Sequence, residues 1–473
     1  MPQSLSTGVL SIVAALFALL ALVASNDSAG GLFNDQTQIV LGAGFILTIV
    51  LLTIASVGDK IRLTLQITAI YFSIYLLLPG YNHHTINRFP FYGFSYPMEI
   101  RTTAALIVAV FLLILLASYY LSSKVANEPV IKKPVVIKEN ILLGVALTII
   151  SIASALYFIE TVGLEYAFAI RSAEDTLGLE AAQAGVTVQL PRTLVVAPVI
   201  YGILLLAHHR TKSMALVMLA INLPIFLVLN FPLAIARFQL FGYFLLFLML
   251  VIDFRRVSRR ATISLGFIGG ALVALPLADH FTRQGGTLAD LDFRRLLSGY
   301  FSTGDFDGFQ SINNAVVYVE TVGFEFGRQF ASAILFFVPR SIWSGKAEAT
   351  GSITAEAAGY SFVNISQPLP SEFFVDFGWY GVVVGAALLG WCFFHLDRWF
   401  HNRWTLDIRT RLVAGLFLGF ALILYRGSLL GVVAPIALLI PSLLAIWLFG
   451  TARLPSAVAR PAPVGMNNAM QKA

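Results

Sequence analysis

The residues with the clearest chemical potential in this sequence are cations that lie within or beside apolar stretches. Arg237 follows Pro232 inside a hydrophobic block, and Arg340 and Lys346 frame the segment PRSIWSGK, which contains Trp343. An arginine inside a membrane is costly unless it is paired or faces water, and its planar fork suits phosphate oxygens. We therefore predict a site for a diphosphate group. The alternatives are an Arg237 side chain that extends to lipid headgroups and an interfacial Arg/Trp anchor at PRSIWSGK.

A second group of charged residues surrounds these cations. An acid or an imidazole could remove a proton from an attacking hydroxyl, and His280 and Glu372 are the strongest candidates because both lie where a polar loop meets apolar sequence. For the other acids, Asp305 among them, a solvated loop charge is the simpler interpretation. No pair of these residues has the spacing of metal ligands on a helix, so we expect no metal and no cofactor. The accompanying basic residues are Arg283, Arg294, Arg295 and Arg328.

These residues lie among apolar blocks that define the fold class. Of the 473 residues, 58% are hydrophobic and only 12% are charged, whereas a soluble domain carries about 25% charged residues. Each block is close to the roughly 20 residues that a helix needs to cross a bilayer. The sequence therefore predicts an all-α, polytopic membrane protein with about 12 helices, at 5–25, 36–57, 61–79, 102–122, 140–159, 193–207, 213–230, 232–252, 261–279, 374–395, 412–429 and 431–449.

The distribution of charge predicts how these helices are oriented. Lysine and arginine cluster in alternate gaps between the blocks, which the positive-inside rule assigns to the cytoplasm, and both termini are then cytoplasmic. The net charge of +6 is explained by contact with anionic lipid rather than with nucleic acid. The sole cysteine, Cys392, excludes a disulfide framework. A GxxxG motif, Gly381 to Gly385, indicates close helix packing.

This topology divides the chain into four regions. It leaves one long polar loop between the ninth and the tenth helix. A loop of that length is typical of a functional element rather than of a simple connection. Within that loop, residues 326–338 are apolar but short, so we predict a half-helix or surface helix that ends at Pro339. The regions are 1–279 with nine helices, 280–373 as the large external loop with short helices, 374–452 with three helices, and 453–473 as a disordered cytoplasmic tail.

Three segments of the loop and of the helix after it resemble a known family. They are GDFDGFQ (304–310), FFVPRSIWSGK (336–346) and LPSEFFVDFGWYGVVVGAALLG (369–390), which lie within a stretch of about 90 residues. Their order is similar to that in Wzy-type oligosaccharide repeat-unit polymerases, which are related to O-antigen ligases. Those proteins place a large periplasmic loop between late transmembrane helices, so the resemblance implies a GT-C-like fold. Ala347 departs from the family, which usually has a proline after the motif's lysine.

The resemblance implies a metal-independent glycosyltransferase of the bacterial inner membrane. The growing glycan would move from undecaprenyl diphosphate to the non-reducing end of a new lipid-linked repeat unit. Arg237 and Arg340, supported by Lys346, would hold the leaving diphosphate, and His280 or Glu372 would act as the base. Membrane lipids, a chain-length regulator and a flippase of the same pathway would be partners. The remaining expected substrate contacts are Arg328, Arg283, Asp305 and Trp343.

Three other functions stay open at this point, of which one, a non-catalytic scaffold, would have no evident use for Arg237 and the loop motifs. An O-antigen ligase, which moves the glycan to lipid A-core, would share the architecture and differ in its acceptor. A flippase or transporter with a similar number of helices commonly shows two related halves and charged or broken helices at mid-membrane. Here the two halves are unequal, and the polar residues concentrate in the external loop. This distribution weighs against transport.

Overall fold

The computed structural model describes residues 33–91, 95–125, 134–168, 185–209, 212–232, 234–235, 237–274, 276–277, 280 and 291–453. It is 76% helix and 2% strand, and seven of the described helices are long and apolar enough to cross a membrane. These observations confirm an all-α membrane protein with several spans. The total of 12 spans stays a prediction, and its first block, 5–25, lies outside the described residues.

Every predicted block after the first overlaps a helix. Seven of these helices are the long apolar ones, and those that begin at Ser213, Arg237, Val257 and Arg409 are shorter and not among the seven. The helices before the large loop are α1 (Gln36–Val57), α2 (Leu63–Thr85), α3 (Met98–Val125), α4 (Ile141–Thr161), α5 (Leu164–Phe168), α6 (Thr187–His208), α7 (Ser213–Leu229), α8 (Arg237–Val251) and α9 (Val257–Gly269, continued by a π-helical turn, Gly270–Ala274).

The polar region between α9 and the long helix that begins at Leu369 is folded, and we call its described part, residues 291–368, the loop module. The apolar segment 326–338 contains one helix of seven residues, Arg328–Ile334, which is about 10 Å long and so too short to span a bilayer. This helix ends at Ile334 rather than at Pro339. The helices from the loop module onward are α10 (Phe293–Phe301), α11 (Gly308–Thr321), α12 (Arg328–Ile334), α13 (Thr350–Ala357), α14 (Leu369–Arg403), α15 (Arg409–Arg426) and α16 (Leu429–Phe449).

Helix α14 begins earlier than predicted and is sharply bent. Pro370 in its first turn favours a start at Leu369, and Gly378 has a φ of 61° and a ψ of −147° inside it, a conformation open almost only to glycine. A Cβ at Gly381 would lie 2.3 Å from the carbonyl oxygen of Phe373. The GxxxG motif therefore marks close packing, but between two parts of one bent helix.

Glycines also bring separate helices together. A Cβ at Gly390 of α14 would lie 2.1 Å from the carbonyl oxygen of Leu115 in α3. Gly242 of α8 and Gly419 of α15 approach so closely that a Cβ at Gly242 would lie 2.7 Å from the Gly419 oxygen. Small residues allow such close approach where lipid provides no hydrophobic drive between helices. The second crossing fixes α8 against α15.

A short antiparallel strand pair departs from the all-helical expectation. β1 (Val135–Ile137) pairs with β2 (Thr451–Arg453), so that the chain before α4 is joined to the chain after α16. Strands this short carry too little alternation to be recognised in a sequence. The predicted tail, 453–473, thus begins inside a strand, and residues 454–473 lie outside the described part of the chain.

The loop module packs on the membrane helices through a polar face of α11, which contacts α2, α3 and α14. The hydroxyl of Tyr360 accepts hydrogen bonds from Gln310 Nε2 at 2.8 Å and from Asn314 Nδ2 at 3.0 Å. Tyr96, just before α3, donates to Asn314 Oδ1 at 2.5 Å. Buried polar groups of this kind fix a single arrangement when they are hydrogen-bonded. The module is therefore held in a defined position over the helices.

Candidate functional site

A cavity of about 450 Å³ opens between α8 and α9 and extends to the loop module. Its wall on α8 runs from Phe241 to Leu248, a rise of about 10 Å along the helix axis. The surface is mostly apolar, and the loop module contributes two of its polar residues, Tyr300 and Asp305. The lining residues are Tyr75, Phe241, Phe244, Leu245, Leu248, Thr262, Ile263, Gly266, Phe267, Gly270, Ala271, Tyr300, Asp305 and Phe306.

Asp305 is presented to the cavity by a 3₁₀ turn, Gly304–Phe306. Arg426, the last residue of α15, holds this turn by donating from Nη2 to the Gly304 carbonyl at 2.8 Å and to Asp307 Oδ1 at 3.1 Å. The other oxygen of the buried Asp307 accepts from the Ser366 amide at 2.9 Å. The ion pair at the end of α15 thus holds the turn that places the Asp305 carboxylate in the cavity wall.

Arg237 is the first residue of α8, and its side chain is outside the described part of the structure. The cavity residues Phe241, Phe244 and Leu248 follow it by four, seven and eleven positions. This spacing is that of one face of a helix. The register of α8 therefore places position 237 in line with the cavity wall, one turn nearer to the loop module.

The structure does not bring Arg340 and Lys346 to this cavity. Arg340 donates from its two Nη atoms to the carbonyl oxygens of Lys346 at 2.7 Å and Ala347 at 2.8 Å. Lys346 Nζ donates to the carbonyls of Phe336 at 2.6 Å and Val338 at 2.9 Å. Partial burial and, less strongly, the nearby Arg340 lower the pKa of Lys346. The two cations close the turn that contains PRSIWSGK.

Two other predicted substrate contacts also have partners within the loop module. Arg328 Nε donates to Glu325 Oε2 at 2.6 Å, and Tyr318 donates to the other oxygen of the same carboxylate. This hydrogen bond to Glu325 is the main reason that the pKa of Arg328 is raised. Trp343 is half-buried, and its amide donates to the Pro339 carbonyl at 3.0 Å. Both residues lie near Arg340 in sequence but do not line the cavity.

Glu372 is completely buried where the loop module meets the membrane helices. Its Oε2 accepts from Thr350 Oγ1 at 2.5 Å, and its Oε1 accepts from the amide of Leu429 at 2.8 Å. Leu429 is the first residue of α16, where the helix dipole and the free amides favour a negative charge. This environment gives Glu372 a structural role: it caps α16 and ties that helix to the Thr350 side chain of α13.

Besides Arg237, two predicted residues lie in or beside a stretch that the structure does not describe. His280 is helical and half-buried, but the residues on either side of it, 278–279 and 281–290, are outside the described residues. Arg283 falls in that range. Their predicted roles therefore stay predictions, and Asp305 is the predicted residue that the structure does place at the cavity.

Sequence reasoning missed Arg192, an arginine buried inside a candidate span. It lies in α6 with 1% of its surface exposed, and its guanidinium carbon is 5.6 Å from the ring centre of Phe158 and 5.9 Å from that of Tyr166. Aromatic faces stabilise a cation in a site of this kind. The predicted block begins at residue 193, so Arg192 falls just outside it. Pro191 could have indicated an earlier helix, because proline is common in the first turn of a helix.

Comparisons with known proteins identify no relative of this chain: no family model, curated protein or solved structure matches it. Among the described residues, no three histidine, cysteine, aspartate or glutamate side chains lie together in a way that could hold a metal ion. The function must therefore be inferred from the cavity and from the residues around it.

The position of Glu372 generates a prediction about stability. Glu372→Ala removes the acceptor for two buried donors, and each donor left without a partner costs about 1–3 kcal/mol. We expect a clear drop in the melting temperature of the detergent-solubilised protein, and a smaller drop for Glu372→Gln, which keeps one carbonyl acceptor. Glu356→Ala, on an exposed position of α13, is the control. Equal melting temperatures for Glu372→Ala and this control would contradict the capping role.

Proposed function

We propose that this protein is a glycosyltransferase of the Wzy type, which polymerises lipid-linked oligosaccharide repeat units at the periplasmic face of a bacterial inner membrane. The observation that carries the proposal is the apolar cavity between α8 and α9, which has Asp305 at its end on the loop module and lies on the face of α8 that begins at Arg237. An apolar groove that leads to charged groups fits a lipid with a charged head.

The size and lining of the cavity support a role in holding a hydrocarbon chain. Its volume of about 450 Å³ is within the range of roughly 300–1,000 Å³ that small-ligand sites occupy. Phenylalanine and aliphatic side chains from α8 and α9 form most of its wall, and Gly266 and Gly270 leave it wide. A segment of a polyprenyl tail can therefore lie between the two helices while the rest stays in lipid.

Two charged residues would allow transfer of a sugar: Asp305, which lines the cavity, and Arg237, which the register of α8 places in line with it. The acceptor hydroxyl would attack the anomeric carbon of the donor glycan, the bond from that carbon to the diphosphate oxygen would break, and polyprenyl diphosphate would leave. Arg237, at the head of α8, would stabilise the charge that develops on the diphosphate. This role needs no metal, because a guanidinium supplies the positive charge.

Asp305 is the best-placed described group to accept the proton of the acceptor hydroxyl. It lines the cavity, whereas Glu372 is fully buried and is not part of the cavity lining. The proton would pass from the hydroxyl to the Asp305 carboxylate as the new glycosidic bond forms. His280, which precedes the loop module in the sequence, is the second candidate for this role.

A polymerase and a ligase would break and form the same kinds of bond. The two activities therefore differ only in the acceptor. A null mutant of a polymerase would still attach single repeat units to lipopolysaccharide. A null mutant of a ligase would attach none and would retain glycan on the lipid carrier. The resemblance of residues 304–390 to polymerases favours the first outcome.

Reconstitution tests the proposed activity. The purified protein in liposomes, given lipid-linked repeat units and a chelator of divalent metals, is expected to produce a ladder of polymer. Arg237→Ala should slow polymerisation by about 100-fold to 1,000-fold, the usual effect of removing one group that stabilises the transition state. Arg256→Ala, which removes an exposed arginine near the other end of α8, should leave the rate unchanged.

Two results of this assay would reject the mechanism. One is the absence of any polymer from the wild-type protein although lipid-linked units are present in excess. The other is an Arg237→Ala variant with full activity. Asp305→Asn separates the two proposed roles, because loss of a base lowers the turnover rate by about 100-fold to 10,000-fold and leaves binding of the diphosphate intact.

A substitution that fills the cavity tests its use by the substrate. Gly266→Phe places a ring into open space in the cavity wall, because a Cβ at Gly266 would have no neighbour within 4 Å. We expect a higher KM for the lipid-linked donor and an unchanged melting temperature. Gly431→Phe introduces the same side chain at an open position on α16, away from the cavity, and should leave KM unchanged. Equal KM values for both variants would show that the tail does not enter this cavity.

A further inference from the structure

The surface of the loop module around α12 has a polarity opposite to that of a surface that faces water. The buried residues of this helix are Gln329, Ser332 and Ala333, so two of the three are polar. The exposed side of the same segment carries Phe326, Ile334 and Phe337, which are 81%, 70% and 68% exposed. A helix on a water-facing surface buries its apolar residues and exposes its polar ones. The inversion indicates that the exposed side faces an apolar medium.

The position of this segment is fixed by hydrogen bonds to α14. The amide of Glu325 donates to the carbonyl oxygen of Val375 at 3.0 Å. The buried carboxylate of Asp376 accepts from the amides of Gln329 at 3.2 Å and Phe330 at 2.9 Å, which are at the start of α12. These contacts hold α12 beside the bend at Gly378, where the long apolar part of α14 begins.

The exposed apolar surface continues from this segment along α14. Directly after the bend, Tyr380 is 86% exposed, and further along the same helix Val384, Leu388 and Trp391 are also exposed. On a span of this length, exposed apolar side chains face lipid. Tryptophan and tyrosine are enriched where a span meets the membrane surface, and Trp379 and Tyr380 are at that level. The exposed residues of α12 therefore lie next to the edge of the bilayer.

The chain that follows α12 combines exposed apolar groups with cations. Ile342 is 79% exposed, and it lies between Arg340 and Lys346, whose hydrogen bonds close the turn. Arg328 is half-exposed at the start of α12. Cations near apolar residues suit the lipid headgroup region, where phosphate groups lie just above the acyl chains.

We propose that residues 324–343 form a membrane-immersed wedge: α12 lies in the plane of the bilayer surface, and Phe326, Ile334, Phe337 and Ile342 enter the acyl region of the leaflet next to the loop module. The occupant of this surface is lipid, because the surface is continuous with the lipid-facing side of α14. The wedge holds the module at a constant height over the membrane helices. This inference is independent of the proposed glycosyltransferase activity.

Depth measurements on the full-length protein in nanodiscs of phosphatidylethanolamine and phosphatidylglycerol test this proposal. Cys392 is replaced by serine, and single cysteines are introduced as Phe337→Cys and Ile342→Cys for nitroxide labelling. Leu388→Cys, exposed on α14, is the reference in lipid, and Glu356→Cys, exposed on α13, is the reference in water. All four positions are on the surface, so the labels should not disturb the fold.

The expected result is that labels at 337 and 342 lose most of the relaxation caused by a water-soluble nickel chelate and keep that caused by oxygen, as the label at 388 does. Nickel accessibility equal to that at 356 would show a water-facing surface and would overturn the proposal. Protection from both reagents, with spin–spin broadening between labels, would show that a second copy covers the surface and would overturn it equally.

Discussion

Three buried carboxylates hold the loop module on the ends of the membrane helices, and the geometry of the candidate site depends on them. Asp307 pairs with Arg426 at the end of α15, and Glu372 joins Thr350 of the module to the first amide of α16. Asp376 accepts hydrogen bonds from the amides of Gln329 and Phe330 in the first turn of α12. A buried charge is stable only when hydrogen bonds compensate its lost hydration. These contacts therefore define where the module can sit, and with it the position of Asp305.

The fold class could be predicted from the sequence because apolar blocks of spanning length have few other uses. The position of each helix end was harder to predict. Arg192 illustrates the difficulty, since a charged residue ends an apolar block in a hydropathy profile even when two aromatic rings stabilise it inside the helix. The bend at Gly378 could not be predicted either, because a glycine in an apolar run is equally compatible with a straight helix that packs closely on its neighbour.

The candidate site was only partly predictable for a related reason. Residue types indicated a diphosphate site with a base. The resemblance implied that Asp305, in GDFDGFQ, contacts the substrate, and this residue does line the cavity. The partners of the other residues depend on the folded backbone. Arg340 and Lys346 bind carbonyl oxygens of their own turn, and no spacing rule predicts such contacts. Glu372 and Asp376 are four residues apart on one helix, yet they cap two different helices.

In the proposed mechanism, a lipid-linked substrate lies between α8 and α9 with its diphosphate at the end next to Asp305 and Arg237. Photocrosslinking with a polyprenyl diphosphate that carries a diazirine in its tail tests this position, with adducts mapped by mass spectrometry. Adducts are expected on residues 241–248 and 262–271, and they should be lost when unlabelled polyprenyl diphosphate competes. Adducts confined to other helices, or adducts that competition does not reduce, would contradict it.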